Sequence, residues 1–200
     1  TIKVSIAAVT SIFALLMIYV GSYLPLRKSQ LYIQGYTSLS QIKSLDEFNS
    51  LFNRALDFYS PVGQDEVVSA YLGVILNVLN QNPPPNRELT GILIKQSEER
   101  ARPIIESKRG FLLSQNVFKL GLVYRTAAVR FNDVSYLDKA ITLFEQGLNF
   151  SPNRAVFLYN LFDLYQAKGE KEKAREIGER ILQYWPNDEK VKAVNKSLNQ

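Results

Sequence analysis

The chain has 200 residues, 24 Lys and Arg against 19 Asp and Glu, and a formal charge of +5. It holds no cysteine and no histidine, which removes disulfides, thiol nucleophiles, Cys/His zinc sites and the commonest general base together. Apolar residues make up 46% of it, and the portion beyond the N-terminal segment, about 175 residues, suffices for one domain with a continuous core.

Val4 to Leu24 carries no charge. A helix of that length covers roughly 30 Å, the thickness of a bilayer's hydrocarbon core. Tyr19 and Tyr23 fall near its downstream end, where interfacial aromatics sit, and Arg27 and Lys28 follow in the headgroup zone. The run is too long for the apolar part of a cleaved signal peptide, and no Ala-x-Ala follows it. Residues 1–28 therefore predict a transmembrane helix and its flank, in an integral protein of the cell membrane. Lys3 before the span against Arg27 and Lys28 after it leans toward a cytoplasmic downstream side without fixing it. Thr1 is not an initiator methionine, which suggests the tail of a longer protein with this helix as its last span.

Pro25-Leu26-Arg27-Lys28 predicts a break or kink, with helix resuming from Ser29 to about Gln41. Asp46 is placed to cap a helix whose apolar face is Phe48, Leu51, Phe52, Ala55, Leu56 and Tyr59, ending at Ser60-Pro61. Gly63 opens a second helix, Asp65 to about Asn80, burying Val68, Tyr71, Leu72, Ile75, Leu76 and Leu79. Residues 29–82 thus form divergent helical pairs. The Pro-rich stretch 83–86 makes a linker, since the consecutive Pro83, Pro84 and Pro85 remove donors and force extended backbone. Residues 87–110 form a bridging helix, bent at Pro103 and stopped by Lys108-Arg109-Gly110.

From Phe111 the chain repeats itself. Ala140 and Ala174, and Pro152 and Pro186, stand at one common interval of about 34 residues, a period typical of helical-hairpin solenoids. Leu120, Gly121 and Tyr124 precede Ala140, Phe144 and Gly147; Leu158, Leu161 and Tyr165 precede Ala174. Small residues let the helices of a hairpin approach, large ones fill the groove beside them, and proline stops the second helix. Lys168-Gly169-Glu170 is a tight turn between helices. The aromatics Phe111, Phe118, Tyr124, Phe131, Tyr136, Phe144, Phe150, Phe157, Tyr159 and Tyr165 read mostly as core.

These residues resemble the tetratricopeptide repeat, in two units of about 111–152 and 153–188 with a helix after them. The second unit departs from the pattern at Phe162, where glycine is usual, and at Gly178, where a large aromatic is usual, a pair that would compensate in volume. In the first unit Tyr124 and Ala140 lie too far apart by about two helical turns, which predicts a longer hairpin around Arg130–Tyr136. The resemblance implies an all-α fold: an N-terminal transmembrane helix followed by a right-handed α-solenoid of hairpins over 111–200. It also implies a groove for a protein or peptide partner, with Gln115, Phe118, Leu122 and Arg125 from one unit and Val156, Tyr159, Asp163 and Gln166 from the next. A glycan stacking on Tyr159 is a further use of that groove.

A second resemblance joins the span, Leu24–Gln30, Arg54–Glu66 and the two repeats to the C-terminal region of bacterial O-antigen ligase/polymerase-like membrane proteins. It implies the non-catalytic part of a polysaccharide glycosyltransferase, exposed outside the cytoplasm, whose catalytic apparatus lies in other spans. The alternative is a single-span scaffold or assembly protein that recruits its partner through the same groove. No cofactor, metal site or catalytic residue is expected in either case. Arg100, Arg102, Lys108, Arg109, Lys119 and Arg130, with Arg125, give a local excess of positive charge that reads either as a solvated face of two helices or as a surface for lipid headgroups, a lipid-linked pyrophosphate or an acidic glycan. Nucleic acid is not an expected partner, since no binding motif is present. Adjacent carboxylates Asp65-Glu66 and Glu98-Glu99 point about 100° apart on a helix and are not expected to face each other. Asn149 and Asn195 begin glycosylation triplets.

Overall fold

The computed structural model describes residues 2–42 and 44–198, and all its regular structure is helical. The chain divides into two compact units, residues 1–71 and 72–200.

In the first unit α1 (Ile2–Ile18) runs through a π-helical turn, Tyr19–Tyr23, into α2 (Leu24–Thr37). The helix therefore does not break at Pro25. A proline has no N–H and its ring presses on the carbonyl four residues back. The wider turn just before it absorbs that misfit, with the Leu24 N–H reaching the Tyr19 carbonyl five residues back. From Lys3 to Thr37 the helix is long and apolar enough to cross a membrane, and none of its most apolar stretch is covered by the rest of the chain.

One side of α2 is covered. Leu24, Lys28, Leu31 and Gly35 form a stripe at helical spacing, packed on α3 (Leu45–Leu56). Ser44, not Asp46, caps α3 by accepting the Glu47 N–H at 3.1 Å; Asp46 lies in the first turn, where its charge suits the helix N-terminus. Phe48, Phe52, Ala55 and Leu56 are buried and Leu51 is half-buried. Their face continues onto α4 (Gln64–Leu79), where the Tyr71 ring lies 5.9 Å from Phe48 and 5.8 Å from Phe52. Tyr59 does not belong to that face: α3 stops at Leu56, and Tyr59 is 74% exposed. Lys28 is not an exposed cation but an internal tie. The residue is 1% exposed, and its ammonium donates to the Phe58 carbonyl at 2.7 Å and to Gln64 Oε1 at 2.5 Å. Asp65 and Glu66 do face each other, in the first turn of α4. Their hydrogen bond, and then burial, raises the Glu66 carboxyl above its ordinary value.

The second unit opens with the end of α4, where Leu72, Ile75 and Leu79 are buried and Leu76 is half-buried. Helices α5 (Arg87–Ser107), α6 (Leu113–Phe131), α7 (Val134–Phe150), α8 (Ala155–Lys168), α9 (Lys171–Tyr184) and α10 (Glu189–Leu198) each pack on the next in chain order. Asn86 caps α5 by accepting from Leu89 N, and Lys108, in the left-handed region, ends it. Pro103 lies inside that helix without interrupting it. Two-residue links, Asn132-Asp133 and Gly169-Glu170, turn α6 into α7 and α8 into α9. Gly169 takes a φ of +80°, which glycine adopts without strain.

The first of these hairpins is the longer. Its helices have 19 and 17 residues against 14 and 14 in the second, so the extra residues extend both helices and leave the turn short. The backbone after each hairpin repeats as well. Ser151 N–H donates to Gly147 O and Arg154 N–H to Ser151 O; at the matching positions Trp185 donates to Ile181 O and Asp188 to Trp185 O. Ala140 and Ala174 are both fully buried.

Glycines hold the closest approaches. A side chain at Gly121 would collide with the Phe144 ring, one at Gly147 with the Phe157 ring, and one at Gly178 with the Asn195 amide. The space beside Gly178 is thus taken by Asn195 of α10, while Phe162 is 1% exposed. Asn195 is itself buried, so its triplet offers no accessible acceptor. Of the aromatic run, Tyr124, Phe144, Phe157 and Tyr165 are buried, but Phe111 is 92% exposed.

Candidate functional site

The eight groove positions lie on α6 and α8, the first helix of each hairpin, and all are half-buried. Helical spacing puts Gln115, Phe118, Leu122 and Arg125 on one side of α6, and Val156, Tyr159, Asp163 and Gln166 on one side of α8.

Side chains tie the two faces together. Arg154, at the N-cap of α8, donates to Ser114 Oγ at 2.6 Å and to Gln115 Oε1 at 2.7 Å, with its guanidinium 5.6 Å from the Phe157 ring. Phe118 sits against Phe144 and Phe157, with ring centres 6.1 and 5.9 Å away. Arg125 donates to Asn160 Oδ1 at 2.5 Å and pairs with Asp163 at 3.2 Å. Asn160 in turn donates to the Val156 carbonyl, and Gln166 to the Phe162 carbonyl. Leu122 and Arg125 line a shallow hollow of about 300 Å³ with Asn80, Thr126, Val129 and Arg130.

Tyr159 is held from beyond the groove. Its hydroxyl donates to Asp188 at 2.5 Å, and its ring lies 5.8 Å from Trp185, which lies 5.7 Å from Tyr184. Burial, then the hydrogen bond to Asp188, pushes the phenol up to about 12. The same hydrogen bond holds the Asp188 carboxyl below its ordinary value. Trp185, Asp188, Arg154 and Asn160 are therefore part of this surface and were not among the expected positions. Their signal was available in part, since Arg154 and Asp188 occupy matching places after the two hairpins.

The basic residues lie on α5, on the link after it and on α6. Arg102, Lys108 and Arg109 are exposed on the C-terminal part of α5 and just beyond it, and Arg100 is half-buried on the same helix. Lys119 lies on α6 beside Gly73, and burial lowers its pKa. Arg130 is in the last turn of α6, about 16 Å along the helix from Lys119. Arg102 also borders a cleft of about 440 Å³ between α5, α6 and α7, floored by Ile105, Leu120 and Leu143. There Glu98 accepts from the Tyr124 hydroxyl and from Lys139, the latter at 2.8 Å. Among the described residues no cluster of three metal-ligating side chains occurs.

Compared with known proteins, the chain matches no family model and no curated protein.

Proposed function

We propose that this chain is a membrane-anchored interaction module of the tetratricopeptide type, forming a short solenoid whose α6/α8 face docks a protein or peptide partner. The observation that carries the reading is the turn that recurs after each hairpin: the same backbone hydrogen bonds around Ser151 and Trp185, followed by Arg154 and Asp188. Buried Ala140 and Ala174 at matching places, and the ring of Phe144 seated on Gly121, support it further. Stacked hairpins of this kind bury a continuous core and leave one concave face free for binding.

In this reading the module is the non-catalytic C-terminal part of an O-antigen ligase/polymerase-like glycosyltransferase, and it lies outside the cytoplasm. The support is the order of parts: an apolar helix, Leu24–Gln30, Arg54–Glu66, then the repeats. The rival is a single-span scaffold that recruits a partner with no transferase attached. With so few hairpins the groove is short, and the bilayer adds effective concentration to whatever affinity the groove supplies.

Photo-crosslinkers placed in the full protein at Leu122 and Gln166, with a control at Glu179 on α9, test the groove. A discrete adduct at the first two positions and none at the control supports it. Equal labelling at all three, or at none, removes the groove from the proposal. The identity of the adduct, a transferase subunit or an unrelated assembly protein, separates the two readings.

A further inference from the structure

We propose that the loop joining α3 to α4, residues 57–63, is a second membrane contact: Tyr59, Pro61 and Val62 insert into the bilayer interface beside the emerging helix. The inference rests on the membrane reading of α1 given above and adds a contact that the apolar run alone does not supply.

Three independent observations place the loop at that level. The first is where the covered stripe of α2 begins. Tyr23 is 51% exposed, whereas Leu24, three residues before the first downstream cation Arg27, is 7% exposed. The folded part of this unit therefore starts at the very end of the span, with no stalk between them. The second is what pins the loop. Lys28 lies one turn, about 6 Å, beyond Leu24, and helical side chains lean back toward the N-terminus, here toward the membrane. Its buried ammonium holds the Phe58 carbonyl and Gln64 Oε1, the two ends of the loop, while Gln64 Nε2 returns to the Leu56 carbonyl at 3.2 Å. Pro25, Ser29 and Tyr32 share a hollow of about 270 Å³ with Val62 and Gly63, which places the loop tip opposite the same turns.

The third is the chemistry of the loop. Phe58 to Gln64 carries no charge. Tyr59 is 74% and Val62 60% exposed, and Pro61 is exposed as well, so their apolar groups face outward although nothing in this unit requires it. An amphipathic tyrosine ring beside aliphatic groups is the composition that favours the zone between headgroups and acyl chains. On the helix itself Tyr19 and Tyr23 stack at 5.3 Å and are both about half exposed, which marks the same zone. With two attachment points, the helix and the loop, the first unit loses its freedom to swivel about the span. Because the inserting tip, residues 58–63, is uncharged, its insertion depends on apolar transfer and not on anionic lipid.

The cysteine-free chain makes the test direct. Nitroxide labels are placed one at a time on Leu15→Cys, Tyr59→Cys, Val62→Cys and Glu179→Cys in the full protein, reconstituted in phosphatidylcholine vesicles with and without phosphatidylglycerol. Collision with oxygen, which concentrates in lipid, is compared with collision with a water-soluble nickel chelate. The expected result is a several-fold higher oxygen-to-chelate ratio at 59 and 62 than at 179, unchanged by phosphatidylglycerol. If Leu15→Cys reports lipid while 59 and 62 match 179, the loop inference is overturned and the span stands. If 59 and 62 are shielded from both reagents, a protein surface covers them and the inference is again overturned. If Leu15→Cys itself reports water, the membrane reading falls and this inference with it. Circular dichroism on each labelled protein confirms that helix content is retained, and two loop positions keep the outcome from depending on one variant.

Discussion

The ring of Phe144 lies over the α-carbon of Gly121 so closely that a single added methyl would overlap it. Both groups are buried, and Phe144 is fully so. Alanine normally improves a helix over glycine by about 1 kcal/mol, while overpacking a dense core costs about 1–3 kcal/mol. Gly121→Ala is therefore expected to destabilise the second unit. Gly91, inside α5, has no atom within 4 Å of where its methyl would stand, so Gly91→Ala is expected to stabilise by up to about 1 kcal/mol. Urea unfolding of the two variants should move the midpoint in opposite directions. A shift of the same sign in both would show that the Gly121–Phe144 contact does not set the helix spacing.

The Arg125–Asp163 pair bridges α6 and α8, with the two side chains 34% and 41% exposed. Pairs so placed contribute about 0.2–1 kcal/mol and weaken with salt. Arg125→Glu turns the attraction into repulsion and leaves Asn160 without its donor, so the melting temperature should fall by a few degrees. Adding Asp163→Arg should recover part of the loss, and the coupling should shrink in molar salt. No recovery in the double variant would mean the pair is incidental. Arg125 is thus unsuited to probing the groove, because its loss acts on stability and on binding together.

Tyr159 and Asp188 make the hairpin end sensitive to pH on both sides. The Tyr159 phenol is raised from 10.0 to about 12, so its contribution is complete below pH 10 and is lost as pH climbs through about 12. The Asp188 carboxyl is lowered from 3.8, so its contribution is complete above that value and is lost as pH falls through the lower folded value. Tyr159→Phe removes the hydrogen bond and should flatten both arms of the melting-temperature profile. A difference titration of phenolate absorbance, wild type minus variant, isolates this one among 11 tyrosines. An ordinary midpoint near 10 would show the hydroxyl free of Asp188 in solution.

Much of this architecture is legible in the sequence because it rests on spacing. The apolar positions of α3 and α4, the proline linker, and the repeat of alanine and proline follow from helical periodicity and from what proline forbids. The longer first hairpin is legible too, since one extra turn in each helix preserves every buried face. What escaped depends on groups distant in sequence. Ser44 caps in place of Asp46 because the chain enters α3 extended one residue before the helix starts, a backbone choice that periodicity does not record. Tyr59 fits the helical period yet lies outside, because α3 ends three residues earlier. The groove positions were readable as a helix face, but Arg154 and Asp188, which fasten that face, come from links whose geometry only the folded chain reveals.

Lys28 is the clearest such case, since a lysine after an apolar run reads as a headgroup anchor and is here an internal tie. Lys28→Met keeps the length and removes the ammonium, leaving the Phe58 carbonyl and Gln64 Oε1 without their donor. A buried acceptor left unpaired costs about 1–3 kcal/mol, and an apolar replacement of both partners costs much less. Lys28→Met should therefore loosen the loop and speed amide exchange both in the loop and in α3. Hydrogen exchange on the detergent-solubilised protein reads both. If the single variant exchanges as slowly as wild type, the tie between α2 and the α3–α4 loop is not what holds the first unit together.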